Sequence, residues 1–194
     1  ALLIIGARKG RFNEDGTPNE LPASNMTLAL IGVVILWFGW FGFNGGSELG
    51  WFAMTDEGEL AVSSAVPGII ANTALGGAAG LIGALGLGWF VSGHPTAGSV
   101  GNGALAGLVA VTANCHAIDA TGAVLIGAVG GFIAIGAEQM LLRFKIDDVV
   151  GAIPVHLAAG AWGTLAFGIF AQESYLNADS RGAQIVEQGI GIVA

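Results

Sequence analysis

The chain has 194 residues, of which 54% are hydrophobic and only 10% are charged, and its mean hydropathy is +0.74. Because about a quarter of the residues of a soluble domain are charged, this composition excludes an ordinary soluble fold and favours a chain that lies in a bilayer. A net charge of −8 and a single cysteine also argue against nucleic-acid binding, disulfides and a structural zinc site.

Apolar runs without charged residues define the predicted membrane spans, because a bilayer core about 30 Å thick needs a helix of about 20 apolar residues. The first run begins without Met, so we interpret the sequence as a fragment that starts in the tail of a helix, with no signal peptide visible. Leu60 to Ile118 is too long for one helix, and Pro95 predicts the break. We predict an all-α, multi-pass transmembrane domain with spans at about 1–6 (a stub), 26–46, 61–92, 100–115, 120–142, 150–172 and 185–194 (a stub).

The basic residues predict the orientation of these spans, because short loops rich in Lys and Arg stay in the cytoplasm. Arg8, Lys9 and Arg11 mark the first loop as cytoplasmic, and alternation of the spans brings Arg143 and Lys145 to the same side. The opposite loops are acidic. Their charges either attract cations or are ordinary solvated loop charges.

An aromatic segment, 37–47, ends the first full span. On a helix Trp40, Phe43 and Ser47 share one face, because they are spaced i, i+3 and i+7. Aromatic ring faces attract a small cation, and a hydroxyl accepts a hydrogen bond from it. This face therefore predicts a cation site, and the alternative is an aromatic belt at the membrane surface.

His156 is the only histidine well inside a predicted span. An ionisable side chain at that depth faces the bundle interior or a cavity, and a neutral imidazole offers one donor and one acceptor nitrogen to a passing solute. The alternative is a structural histidine bonded to a neighbouring helix. Asp147 and Asp148 precede this helix, and we expect them to cap its N-terminus.

Other polar residues near the ends of the predicted helices favour loop or interhelical hydrogen bonds. They are Asn72, Thr73, Thr112, Cys115, His116 and Asp119. A metal site is disfavoured, because Cys115 and His116 are adjacent and their side chains would point to different faces of a helix.

Glu138 is expected to pair or to extend to the membrane surface. We find no nucleophile–base pair and no phosphate or dinucleotide motif, so we predict neither an enzyme nor a cofactor.

Five motifs occur in order along nearly the whole chain. They are 39–47 (GWFGFNGGS), 71–73 (ANT), 102–112 (NGALAGLVAVT), Asp147-Asp148 with Pro154-Val155-His156, and 162–164 (WGT). In order and spacing they resemble the ammonium transporters of the Amt/Mep/Rh family, the transporter branch more than the Rh branch.

The resemblance implies a trimer of eleven-helix subunits, each with a pore between two inverted five-helix repeats. This chain resembles the part from the end of the fifth helix to the start of the eleventh. Trp40, Phe43 and Ser47 then correspond to the outer vestibule, with Phe43 as one of two gate rings and Ser47 in the recruitment site. His156 corresponds to the second of two pore histidines, and its partner is expected upstream of Ala1.

The activity implied is recruitment of NH₄⁺, with methylammonium as its analogue, followed by loss of a proton and passage of NH₃ along the histidines. The resemblance also implies a plasma or inner membrane location, a homotrimer, and a possible PII-type regulatory protein at the cytoplasmic face. The alternative function on the same fold is an ammonium sensor or signalling receptor.

Overall fold

The computed structural model describes residues 2–194, apart from the side chains of Leu2 and Ala53, and forms a bundle of helices. A π-helix lies between α5 and α6, and a short 3₁₀ turn lies between α6 and α7. The elements are α1 (Leu2–Ile5), α2 (Met26–Gly46), β1 (Phe52–Met54), β2 (Leu60–Val62), α3 (Ala65–Ser92), α4 (Ala97–Thr112), α5 (Ala120–Arg143), the π-helix (Ile153–Ala158), α6 (Ala159–Phe170), the 3₁₀ turn (Glu173–Tyr175) and α7 (Arg181–Val193).

Within residues 2–194, four helical segments are long and apolar enough to cross a membrane. They are α2, α3, α5 and the continuous helix Ile153–Phe170. The helix α4 contains no charged residue but has only 16 residues, a rise of about 24 Å. The bundle therefore contains five antiparallel segments and two short terminal ones.

Side-chain caps explain where several helices begin. Each cap is a Ser, Thr, Asn or Asp whose oxygen accepts a hydrogen bond from a backbone N–H in the first turn. The C-terminal end of α3 is closed by Gly93, which adopts a φ of 75° and donates its N–H to the carbonyl of Trp89. Pro95 follows at once and prevents the helix from continuing. The caps are Asn25 for α2, Thr96 for α4, Asp119 for α5 and Ser180 for α7.

Helix α3 lies at the centre of the bundle and packs most extensively against α4 and α5. Glycines make this contact. A Cβ added at Gly107 of α4 would lie 2.9 Å from the Cα of Gly80, and one at Gly127 of α5 would lie 2.7 Å from the Cα of Gly76. Because such distances are too short for carbon atoms, the backbones touch here, as small residues allow in membrane helices.

The loops gather at two ends of the bundle. Arg8 and Arg11 both contact Asp147, so loops 6–25 and 144–152 share one end, which we call the Arg8 end. Because α5 finishes there, Arg143 and Lys145 join them, as the charge distribution predicts. The opposite end, the hairpin end, carries the β1–β2 hairpin, and Gln172 donates its N–H to the carbonyl of Ala117 there at 2.8 Å.

The structure differs from the expected boundaries at four places. Helix α4 spans Ala97–Thr112 rather than about 100–115, because Thr96 caps it and accepts a hydrogen bond from the N–H of Ser99. Residues 60–62 pair with 52–54 as antiparallel strands, so α3 begins at Ala65 rather than near 61. The segment expected at about 150–172 begins with a π-helix. The last helix starts at Arg181 rather than near 185, because Ser180 caps it and accepts a hydrogen bond from the N–H of Ala183.

Candidate functional site

Trp40, Phe43 and Ser47 lie together at the hairpin end of α2. The ring centroids of Trp40 and Phe43 are 5.8 Å apart, with an interplanar angle of 54°. Phe43 is 61% exposed, and Ser47 is also exposed. The group therefore offers two aromatic rings and a hydroxyl at one accessible helix end.

The hydroxyl of Ser47 has a fixed hydrogen-bonding role. It donates to the carbonyl oxygen of Phe43, with 2.7 Å between the two oxygens. Because a hydroxyl has one proton and two lone pairs, Ser47 can then only accept hydrogen bonds from a further partner. Such a partner must carry N–H or O–H donors.

The indole of Trp40 is held from behind by α4. Its Nε1–H donates to Oγ1 of Thr112 at 2.9 Å, and that hydroxyl donates to the carbonyl of Leu108 at 2.8 Å. The chain of two hydrogen bonds fixes the plane of the Trp40 ring. The sequence placed Thr112 at a helix end, where interhelical hydrogen bonding was expected, but did not identify Trp40 as its partner.

A buried polar contact lies one turn beyond Trp40. Asn44 is 3% exposed, and its Nδ2 donates to Oγ1 of Thr73 at 2.9 Å. The neighbouring Asn72 donates to the carbonyls of Cys115 and Ile118, both at 2.9 Å. These bonds join the hairpin ends of α2 and α3 to the α4–α5 turn. Sequence reasoning did not single out Asn44, although an amide in an apolar span is itself a signal.

Cys115, His116 and Asp119 have three separate roles in the α4–α5 turn. Burial raises the pKa of the Cys115 thiol to about 11, which favours the protonated thiol over the thiolate at neutral pH. The His116 ring stacks on Phe167 at 6.0 Å, and Asp119 caps α5. In residues 2–194, no three His, Cys, Asp or Glu side chains are grouped so that they could hold a metal ion.

At the Arg8 end, Asp147 is almost completely buried between two arginines. Arg8 donates to it from Nε at 2.7 Å, from Nη2 at 2.9 Å and from its backbone N–H at 2.9 Å. Arg11 Nε lies 3.3 Å from Oδ1, the carboxylate oxygen that also accepts from Nη2 of Arg8. The hydrogen bond from the Arg8 side chain, reinforced by the positive charges, lowers the pKa of Asp147 to about 2.

The two aspartates therefore do different work. Asp148 Oδ2 accepts a hydrogen bond from the backbone N–H of Ile153 at 2.7 Å, at the start of the π-helix. Asp147 was expected to cap the same helix but does not, because Arg8 and Arg11 already occupy both of its oxygens.

His156 lies in the π-helix but is exposed on the described chain. Pro154 and Val155 take the inward positions, and Val155 packs with Ala106, Ala134 and Ala159. The expected enclosure of His156 is therefore not provided by the described helices, and its role stays a prediction. A π-turn is uncommon and frequently marks a functional site.

A sequence profile of the Ammonium Transporter Family matches residues 1–194. The chain belongs to the ammonium transporter family. The family and the membrane fold predicted from the five motifs are thereby confirmed.

Two curated relatives illustrate the similarity to ammonium transporters. Ammonium transporter Amt2 of Archaeoglobus fulgidus is 46% identical over 175 residues, which are 90% of this chain and 35% of that protein. Ammonium transporter Amt2 of Haloferax mediterranei is 40% identical over 198 residues, covering 100% of this chain and 43% of the relative. Both are named transporters rather than enzymes. The chain spans less than half the length of either relative.

Solved structures of the family show the same fold. The structure described as Sensor Amt Protein matches with a TM-score of 0.90 and 39% identity, covering 99% of this chain and 45% of that one. Saccharomyces cerevisiae Mep2 matches with a TM-score of 0.75 and 27% identity, covering 95% and 43%.

The motif at 162–164, which resembles the ammonium transporter pattern, serves packing. Trp162 Nε1 donates to the carbonyl of Ile126 at 3.0 Å. A Cβ added at Gly163 would lie 2.9 Å from the Cα of Ala110, so α6 and α4 meet there at backbone distance. The carbonyl oxygen of Gly163 also accepts a hydrogen bond from Nδ2 of Asn114, which is completely buried. The motif therefore packs α6, which directly follows the π-helix, against α4 and α5.

Proposed function

We propose that this chain is part of a transporter that moves ammonium or ammonia across a membrane. Family membership supports this activity, and the relatives are named for it. The observation that carries the proposal is the group of Trp40, Phe43 and Ser47, in which two rings and an accepting hydroxyl lie at the end opposite the basic loops.

The outer step is recruitment of NH₄⁺ at this group. A ring face attracts a cation by about 0.5–1 kcal/mol at an exposed site and by about 2 kcal/mol when the site is dry. Ser47 accepts one N–H of the ion, since its own proton is used by Phe43. Trp40 keeps its ring in place through Thr112. Three weak interactions of this kind suit a site that must release its ion again.

The inner step is passage of NH₃ along His156, after the recruited NH₄⁺ has given its proton to water at the outer mouth. A bare ion in an apolar pore costs several kcal/mol or more, whereas a neutral amine loses only its hydrogen bonds. An imidazole returns one donor and one acceptor to it. We place the first histidine of the pair, together with the rest of the pore wall, in the part of the transporter that this chain does not include. The exposed His156 ring is free to face such a wall.

The assembly is part of the same proposal. We propose a homotrimer in the plasma or inner membrane, with the Arg8 end in the cytoplasm, where a PII-type regulator can bind. The resemblance to the family supports the trimer and the regulator. The five basic residues at that end support its orientation, by the positive-inside rule.

A sensor is the second candidate function, because the structure with a TM-score of 0.90 is described as Sensor Amt Protein. A sensor and a transporter differ in flux. A sensor binds ammonium and changes conformation with little net passage, whereas a transporter turns over.

The test is uptake of ammonium and methylammonium into liposomes that contain the complete, purified transporter. We expect uptake by the wild type and a large loss or a changed selectivity in His156→Ala. His94→Ala is the matched control, since His94 is an exposed histidine in the loop before α4. Binding of ammonium without uptake favours the sensor. Wild-type rate and selectivity in His156→Ala contradict the relay role.

A further inference from the structure

Asp147 joins two segments that are far apart in sequence. Arg8 lies 139 positions earlier and donates to the carboxylate from two of its three guanidinium nitrogens, Nε and Nη2, and from its backbone N–H. The Asp147 side chain is 1% exposed, whereas that of Arg8 is 39% exposed. The carboxylate is therefore fixed from the side of loop 6–25.

A short covalent path leads from this ion pair to His156. Asp148, the next residue, accepts the N–H of Ile153, which is the first residue of the π-helix. Between them Gly151 turns the chain with a φ of 72°, and an added Cβ there would lie 3.2 Å from Cγ of Asn102. The connection is thus tied at Asp147, at Gly151 and at Ile153.

We propose that Arg8 and Asp147 are positioning residues, whose ion pair holds the π-helix in the rotation that directs His156 outward. The part of this inference that concerns flux rests on the proposed transport function. The part that concerns the direction of residue 156 does not.

The π-helix is the element that such a pair can control. A π-turn is rare, because an α-helical turn is the more common alternative for the same residues. A π-turn closes a hydrogen bond between residues i and i+5, and an α-turn closes one between i and i+4. Replacing one π-turn by an α-turn therefore shifts the segment by one residue, which rotates it by roughly 100°. Downstream, α6 is fixed against α4 at Gly163. The rotation must then fall on residues 153–156, which moves His156 into the inward position of Val155 and moves Val155 into that of the buried Pro154.

The first experiment reads this rotation directly. In the complete protein freed of other cysteines, including by Cys115→Ser, the variants Val155→Cys and His156→Cys are labelled with a small methanethiosulfonate reagent. In the parent background we expect position 156 to react at least tenfold faster than position 155, as their exposures indicate. Adding Asp147→Asn should reduce this ratio at least tenfold.

The separate rates at the two positions distinguish positioning from general loosening. The proposal requires labelling at position 156 to become slower, because the rotation buries it. A helix that merely loosens would label faster at the buried position 155 and stay fast at position 156, and this outcome overturns the proposal. An unchanged ratio in folded Asp147→Asn also overturns it. Arg143→Ala is the control, because this exposed arginine has no side-chain ion pair or hydrogen bond to any residue within 2–194. If Asp147→Asn gives no folded protein, Arg8→Lys decides instead, since it keeps the charge and loses the two-point contact.

The second experiment measures uptake into liposomes. Asp147→Asn should lower the maximal rate about tenfold and leave the half-saturating concentration unchanged, since the outer group of Trp40, Phe43 and Ser47 is untouched. Arg8→Lys keeps the positive charge and should therefore lower the maximal rate less than Asp147→Asn does. A raised half-saturating concentration with an unchanged maximal rate overturns the proposal. If the wild type shows no uptake at all, the proposed transport function fails, while the labelling ratio still decides the positioning role.

Discussion

Replacing Ser47 by alanine tests the recruitment site with little disturbance of the fold. The backbone N–H of Ser47 donates to the Phe43 carbonyl at 3.2 Å, independently of the side chain, so the end of α2 survives the change. The variant loses one acceptor for the N–H of an ammonium ion. One such hydrogen bond contributes about 0.5–1.5 kcal/mol, which corresponds to roughly a two- to tenfold weaker apparent affinity.

The assay is the concentration dependence of methylammonium uptake into liposomes. We expect the half-saturating concentration to rise within that range and the maximal rate to stay near the wild-type value. Ser47→Thr should restore the affinity, because the hydroxyl is retained. Ser64→Ala is the matched control at the same end of the bundle, since the exposed Ser64 makes no side-chain capping bond. Equal effects of Ser47→Ala and Ser64→Ala, or none in either, would refute the reasoning.

Three further predictions follow from the helix contacts and the ion pair. Gly127→Ala forces α5 away from α3 and should lower the free energy of unfolding by about 1–3 kcal/mol in a thermal melt, whereas Gly136→Ala, with nothing within 4 Å of its Cβ, should not. Thr112→Val leaves the Trp40 indole without its acceptor and should weaken uptake by roughly fivefold or more, a loss of about 1–3 kcal/mol; unchanged uptake would contradict the role of Thr112. The pKa of Asp147 is lowered to about 2 in the folded protein, so its contribution to the free energy of unfolding is complete above the unfolded pKa near 4 and is lost as the pH falls towards 2. Thermal melts over this pH range should show a loss of about 2 kcal/mol, which should be absent in Asp147→Asn.

The sequence predicts the long helices well, because their signal is local. Met26 to Gly46 is a charge-free run flanked by a capping Asn25, and the observed helix has these bounds. The break at Pro95 likewise follows from the geometry of one residue and its neighbours. Local features of this kind require no knowledge of what packs against them.

Features that depend on distant partners could not be predicted in the same way. Asp147 precedes a helix and therefore suggests a cap, but its use is decided by Arg8, which is remote in sequence. The strands β1 and β2 have three residues each, too short for a periodic pattern. His156 was expected inside the bundle because of its apolar neighbours, but the π-turn gives the inward position to Val155.

The glycine contacts between α3, α4 and α5 also determine which parts of the molecule can move. Helices that touch through Cα atoms and carbonyls have no flexible side chains between them to take up a small displacement, so they shift together or not at all. We expect this block to act as a rigid unit. Any opening and closing in the proposed transport cycle then uses elements outside it, among them α2, the loops of the Arg8 end and the π-turn. Spectroscopic probes for motion belong on those elements, and probes on the three central helices provide the fixed reference.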